Sequence, residues 1–165
     1  MTNNQTLSTN TPSPEQFLTF ELAGEMYGID ILKVQEIRGW EPIRKIPKTP
    51  AYIKGALNLR GAIVPILDLR ERFDMDTVDY SPTTVVIVLN VATASGPMVM
   101  GVVADAVSDV LDIHLADIKS APGLGAKIDT RYMRGMYVGK QGMIMMLDAD
   151  KLLNPDELDQ IGDLL

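Results

Sequence analysis

The sequence predicts a mainly β protein built as two small β-barrels packed on a shared hydrophobic core, and three observations lead there. Short runs of apolar residues alternate with polar ones at the two-residue period of strands, and only the carboxy end carries an extended helical stripe. Motifs recur at a constant spacing. Gly28-Ile29-Asp30 and Val34-Gln35-Glu36-Ile37 return 73 residues later as Gly101-Val102-Val103 and Val107-Ser108-Asp109-Val110, while Gly55 and Asp68 return 80 residues later as Gly135 and Asp148. A repeat of ~70 residues with strands of ~5 residues is too small for a wide sheet and has the size of a small closed barrel. Below roughly 70–80 residues a single core rarely sustains itself, so the two repeats, about 17–73 and 84–153, must pack together.

Met1 to Pro14 is rich in Thr, Asn, Ser and Pro, with Leu7 its only apolar residue after the initiator, and is expected to be disordered. The folded domain is expected over 15–165. Leu18, Phe20 and Leu22 alternate with Thr19 and Glu21 as a half-buried strand; Ala23-Gly24-Glu25 turns the chain and Met26 to Asp30 returns. Over 31–38 the pattern fits either a helix, with Ile31, Val34 and Ile37 on one face, or one helical turn followed by a strand. Ile53 to Leu57, the turn Asn58-Leu59-Arg60-Gly61 and Ala62 to Leu67 form a hairpin. Pro65, which has no N–H to give a ladder, belongs at an edge or a bulge. Asp68 caps a short helix running to Phe73, with Glu71 closing a capping box.

After the polar link Asp74 to Pro82 the pattern restarts. Val85 to Leu89 is wholly apolar and therefore buried on both faces; a turn near Ser95-Gly96-Pro97 leads back through Met98 to Ala104. Gly61-Ala62-Ile63 is echoed by Gly142-Met143-Ile144, one residue out of step. Met98, Met100, Met143, Met145 and Met146 read as residues alternating between core and barrel seam rather than as an adaptable binding face. A final helix spans 154–165. Asn154 caps it, Pro155 takes the first helical position, Glu157 completes a capping box, and Leu158, Ile161 and Leu165 make its buried stripe.

The sequence offers little for catalysis. It has no cysteine and one histidine, His114, so neither a thiolate, a disulfide nor a zinc site can be assembled. No Gly-x-Ser-x-Gly elbow accompanies that histidine. Gly123-Leu124-Gly125-Ala126-Lys127 lacks the spacing and the Ser or Thr of a phosphate loop and reads as a flexible surface loop. The pairs Asp105/Asp109 and Asp148/Asp150 read as solvated turn and cap residues rather than as acid–base or magnesium groups. The net charge of -7 disfavours nucleic acid as a partner. No apolar run approaches the ~20 residues needed to cross a bilayer, and the amino end lacks the charged and apolar parts of a secretory signal. A cytoplasmic protein without cofactor or metal is expected.

Several ordered segments resemble the CheW family of bacterial chemotaxis coupling proteins. They are Tyr27 to Gly39, Ile53-Lys54-Gly55, Asn58-Leu59-Arg60-Gly61, Ile63-Val64-Pro65-Ile66, Asp68-Leu69-Arg70, Thr84 to Asn90, Gly101-Val102-Val103 and Val107 to Leu111. The similarity runs from about Phe17 to Leu153, with a longer Ala92 to Pro97 turn than the family pattern. The resemblance implies two five-stranded SH3-like barrels, a short helical turn at Ile31-Leu32 followed by a strand, and no catalytic activity. It implies an adaptor that joins the cytoplasmic tip of methyl-accepting chemoreceptors to the regulatory domain of the histidine kinase CheA, in membrane-associated arrays. Other copies of the family, paired barrel to barrel in rings, are further implied partners. Carried over by position, the receptor-facing set is Val34, Glu36, Arg60, Val85 and Val110. The kinase-facing set is Glu25 with Lys119 and Leu124. Glu36 is expected to be held by its apolar neighbours Val34 and Ile37, leaving its carboxylate free for a partner.

Three other readings remain. A coupler of a parallel chemosensory pathway carries the same features. A coupler fused to a receiver domain finds no room in 165 residues. A small ligand-binding barrel would need a pocket with convergent polar groups.

Overall fold

The computed structural model describes residues 13–120 and 130–164. Ten strands form two five-stranded sheets. The strands are β1 (Glu15–Leu22), β2 (Glu25–Asp30), β3 (Val34–Gly39), β4 (Ile53–Leu59), β5 (Ala62–Asp68), β6 (Val85–Thr93), β7 (Gly96–Ala104), β8 (Ala106–Ile113), β9 (Met133–Gly139) and β10 (Gly142–Leu147). Two α-helices, α1 (Leu69–Arg72) and α2 (Pro155–Leu164), accompany short 3-10 turns. The ambiguous window resolves as a 3-10 turn at Ile31–Lys33, capped by the Asp30 side chain, and then β3.

The repeats seen in the sequence do not each become a barrel. One sheet has the order β8-β1-β2-β10-β9 and the other β3-β6-β7-β5-β4. Exchanging each strand for its counterpart, β1 for β6 through β5 for β10, converts one order into the other. Each sheet therefore takes the first hairpin of one repeat and the last three strands of the other. The strand patterns of the two repeats are alike, so sequence periodicity is satisfied equally by either pairing.

That core has three parts. The largest cluster lies between the sheets and joins Leu18, Phe20, Leu22, Tyr27 and Ile29 to Leu67, Ile87, Leu89, Met100 and Val102. A second fills the interior of the β3–β7 sheet with Leu57, Leu59, Val64, Ile66, Val86, Val88 and Val103. A third, Phe17, Ile113, Ile144 and Met146, fills its counterpart. Central strands consequently bury both faces: along β6, Val86 and Val88 point to the interior of their own sheet while Ile87 and Leu89 point to the seam. Met145 and Met146 divide in the same way, whereas Met143 stays exposed. At about 1.5–3 kcal/mol for each large apolar side chain fully buried, the seam cluster supplies most of the cohesion.

Each curled sheet is tied across its ends by an isolated bridge, Arg44 to Ala56 and Lys119 to Met136. The neighbouring glycines, Gly55 and Gly135, allow this approach: a Cβ on either would collide with the backbone carbonyl of Arg44 or Lys119. Both sit at positive φ, +149° and +155°. Gly55→Ala and Gly135→Ala are each expected to cost about 1–3 kcal/mol through overpacking against an unyielding backbone. A urea melt would register this as a lower midpoint, and Gly24→Ala, with open space around its Cβ, is the control for φ strain alone.

Two local readings are corrected. Glu71 does not close a capping box on α1, because the Asp68 N–H donates to the Tyr52 carbonyl (2.8 Å) and Glu71 pairs with Lys54 (2.7 Å). Asp68 does cap the helix, accepting from the Arg70 N–H. Pro65 lies on an internal strand; it is tolerated because the ladder to β7 begins one residue later, at Ile66. At the carboxy end the capping box forms in full, Asn154 N–H to Glu157 (2.9 Å) and Glu157 N–H to Asn154 Oδ1 (2.8 Å).

Ion pairs lock the halves. Arg72 donates to both oxygens of Glu157 (2.5 and 2.7 Å) and to the Leu152 carbonyl (2.8 Å), with its guanidinium over the rings of Tyr52 and Tyr132. The Tyr52 hydroxyl donates to the same glutamate. Arg70 forks onto Asp105, which also accepts from the Ala23 N–H, and Lys33 pairs with Asp150, which accepts from the Ala92 N–H. Arg70 and Asp150 are 80 residues apart, so the two ties sit at related places with cation and anion exchanged.

Candidate functional site

β3 borders its sheet, pairing with β6, and a bulge between Val34 and Glu36 sets which way its side chains point. Cross-strand partners share a face. Val34 lies opposite Leu89 and Ile37 opposite Ile87, both seam residues. Val85, opposite Gly39, also packs against the seam cluster. Val34, Ile37 and Val85 therefore form one apolar strip along the seam, Val34 and Val85 half-buried and Ile37 43% exposed. The sequence reading missed Ile37 as a surface group, taking it with Val34 only as an apolar anchor for Glu36.

Glu36 points the other way, opposite Val88 of the second cluster. Its carboxylate is not free, which corrects the expectation. The Arg60 guanidinium donates to it at 2.6 Å, and Arg38, itself 3.3 Å from Glu41, lies 3.6 Å away. Arg60 occupies the two-residue turn between β4 and β5, where both Arg60 (φ 51°) and Gly61 (φ 87°) are left-handed, the pattern of a type I′ turn. The Asn58 side chain accepts from the Gly61 N–H and fixes the turn. Such turns favour Asn, Asp or Gly, and a left-handed arginine costs about 1–2 kcal/mol. An exposed ion pair returns only about 0–1 kcal/mol, so stability does not account for the arginine.

The structure thus places four members of the first set along the β3 border, Val34 and Val85 on its seam face and Glu36, clasped by Arg60, on the opposite face. Val110 belongs to the other sheet, on β8 opposite Leu18, and no described ladder or polar contact links it to the rest. It is the repeat counterpart of Ile37 and is equally exposed, at 43%. In the second set, Glu25 opens β2 beside the Ala23–Gly24 turn that Asp105 holds. Burial pushes the Tyr27 hydroxyl up, and the Glu25 charge pushes it further. Lys119 is exposed, its backbone bonded both ways to Met136 at 2.8 Å. Leu124 lies outside the described residues, as do the loop around it and the first twelve residues.

Three of the four paired acids serve the fold. Asp148 caps a 3-10 turn, while Asp105 and Asp150 hold cations and turn amides as above. Burial alone would raise the Asp105 carboxyl, yet the bonds from Arg70 and the Ala23 N–H hold it below the usual carboxylate range. His114 is exposed at the end of β8. A cavity of about 510 Å³ lies beside Trp40, Lys54, Asp68, Glu71 and Tyr80. Two of the carboxylates that line it are already engaged, Asp68 by the Tyr80 hydroxyl (2.8 Å) and Glu71 by Lys54 (2.7 Å). Among the described residues no helix is long and apolar enough to cross a membrane, and no group of three or more acidic or histidine side chains could hold a metal ion.

Residues 16–157 match the family model described as a CheW-like domain. The chemotaxis protein CheW of Klebsiella aerogenes is 46% identical over 144 residues, spanning 87% of this chain and 84% of that protein. The Rhizobium meliloti protein of the same name is 32% identical over 147 residues, 89% and 92% of the two chains. Among solved structures, the scaffolding protein TtCheW of Thermoanaerobacter tengcongensis superposes with a TM-score of 0.77 at 33% identity, covering 87% of this chain and 90% of that one.

Proposed function

This chain belongs to the CheW family of chemotaxis scaffold proteins, and from that premise we propose that it couples chemoreceptor tips to the histidine kinase CheA without chemistry of its own. The observation that carries the receptor half is the β3–β6 surface. Val34, Ile37 and Val85 offer an apolar strip on the seam side, and Glu36 with Arg60 adds a charged rim, the composition of a transient signalling contact. A helical receptor tip fits such a surface through apolar residues spaced three and four apart. Val110 extends the receptor set on the second barrel. Glu25, Lys119 and Leu124 form the kinase set, and the kinase's regulatory domain can pair barrel to barrel with this fold. The same pairing between copies would build rings. The working place is the cytoplasm, at membrane-associated receptor arrays.

Two separate titrations test the proposal, one with a receptor-tip fragment and one with the kinase regulatory domain. Saturable binding in both is expected, without competition between the two ligands. Binding of neither would remove the coupling role.

A further inference from the structure

The two sheets secure the start of their border strands in different ways. β8 follows β1 as far as Ala106 opposite Glu21, and the preceding residue continues the association unaided. The Asp105 N–H donates to the Glu21 carbonyl (3.0 Å), and the Asp105 carboxylate accepts the Ala23 N–H (2.8 Å). Thr19 and Val88 face the equivalent glycines Gly28 and Gly101, which makes Ala92 the counterpart of Ala23. In the other sheet β3 follows β6 only to Val34 opposite Leu89. The residue before Val34 is Lys33, whose side chain has no acceptor to offer an amide. The acceptor comes instead from the segment after β10. Asp150 takes the Ala92 N–H (2.8 Å), and both its oxygens hold the Lys33 ammonium (3.0 and 2.9 Å).

A second observation concerns which strand depends on this clasp. The bulge between Val34 and Glu36 leaves Val34 as a single ladder pair beyond it, so the sheet fixes its place only weakly. β6 is firm at the same point. It runs on with β7 through Ala92 opposite Pro97 and Thr93 opposite Gly96, two pairs further than β1 runs with β2. Releasing Asp150 therefore frees the start of β3, which carries Val34, and leaves β6 in place. Removing Arg70 would not do the same on the other sheet, since its partner Asp105 belongs to the link into β8 itself.

We propose that Asp150 is a positioning residue for partner binding: it touches no partner, but by clasping Lys33 to β6 it fixes the Val34 end of the apolar strip. The inference rests on the receptor-coupling reading and adds to it a residue outside the contact surface. The Lys33 and Asp150 side chains are 32% and 33% exposed, so the pair itself adds little to global stability, and its loss acts locally.

The test uses the full chain and a receptor-tip fragment, with the kinase regulatory domain as a control ligand. In Asp150→Ala the Ala92 amide should exchange with deuterium about tenfold faster or more, and the Val34 amide should follow it. Receptor-tip affinity should fall about three- to tenfold. The thermal midpoint should move by no more than about 2–4 °C, and kinase-domain affinity should hold. Measured against wild type in about 1 M salt, where screening over ~3 Å removes the long-range effect of the altered net charge, the loss should persist. Asp150→Asn keeps an acceptor for Ala92 and drops only the charge, so it should fall between the wild type and Asp150→Ala. Lys33→Asp combined with Asp150→Arg rebuilds on this side the arrangement of Asp105 and Arg70, and should recover affinity to within about threefold of wild type. Wild-type receptor affinity in Asp150→Ala, no recovery in the double variant, or a parallel loss of midpoint and both affinities overturns the positioning role while leaving receptor coupling intact. A receptor tip that fails to bind the wild-type chain overturns both.

Discussion

Arg72→Ala is expected to cost about 3–5 kcal/mol of stability, the largest effect of any single polar substitution in the chain. The Arg72 and Glu157 side chains are only 9% and 17% exposed. Removing one partner of a buried pair leaves the other charge without compensation. The loss also frees the Leu152 carbonyl and strips a cation from the Tyr52 and Tyr132 rings. Helix α2 should loosen first, because Leu158 and Ile161 are its buried anchors on the seam core. Acid should act on the same bond. Burial raises the Glu157 carboxyl, but the Asn154 N–H, the Tyr52 hydroxyl and Arg72 together hold it below its usual 4.5. A carboxyl lowered on folding contributes stability above its unfolded pKa and loses it as pH falls through the folded value. The wild type should therefore lose stability below about pH 4.5 more steeply than Arg72→Ala, whose Glu157 has lost its cation. Parallel urea melts at pH 7 and pH 3.5 check both; equal midpoints for the two proteins at pH 7 would disprove the latch.

Glu36→Lys is expected to weaken receptor binding by about 2–5 kcal/mol, roughly thirtyfold to several thousandfold in Kd. The reversal places an ammonium between Arg38 and Arg60, which must swing away from a third cation. The damage exceeds that of neutralisation because repulsion displaces Arg60 as well as releasing it. The fold should lose only about 0–1 kcal/mol, since the Arg60 side of the pair is 68% exposed. Thermal midpoint, kinase-domain affinity and receptor-tip affinity, measured on one variant, separate the outcomes. A fall in all three makes Glu36 structural, and a fall in receptor affinity alone supports the surface described here.

What the sequence made legible was local or repeated. The box at Asn154 and Glu157 is readable because its two partners lie within four residues at the start of the helix they cap. Gly55 and Gly135 stood out through their spacing, and both occupy the close backbone crossings. The exchange of hairpins between sheets was not legible, since like strands pair equally well with either repeat. Nor were the ties Arg72–Glu157 and Lys33–Asp150, 85 and 117 residues apart, which in sequence look like ordinary surface charges. At Glu36 the bulge after Val34 defeated simple alternation, so Ile37 and the arginine clasp became visible only with the register in hand. At Glu71 a local rule was overridden by a distant backbone carbonyl and a nearby lysine.

The central claim is that this chain bridges two partners. Receptor-bearing membrane vesicles, mixed with the kinase and sedimented with and without the chain, test it most directly. The account predicts that the kinase enters the pellet in proportion to added chain, and that Glu36→Lys abolishes this while still binding the kinase in solution. Kinase that pellets equally without the chain, or stays in the supernatant with it, would contradict the account.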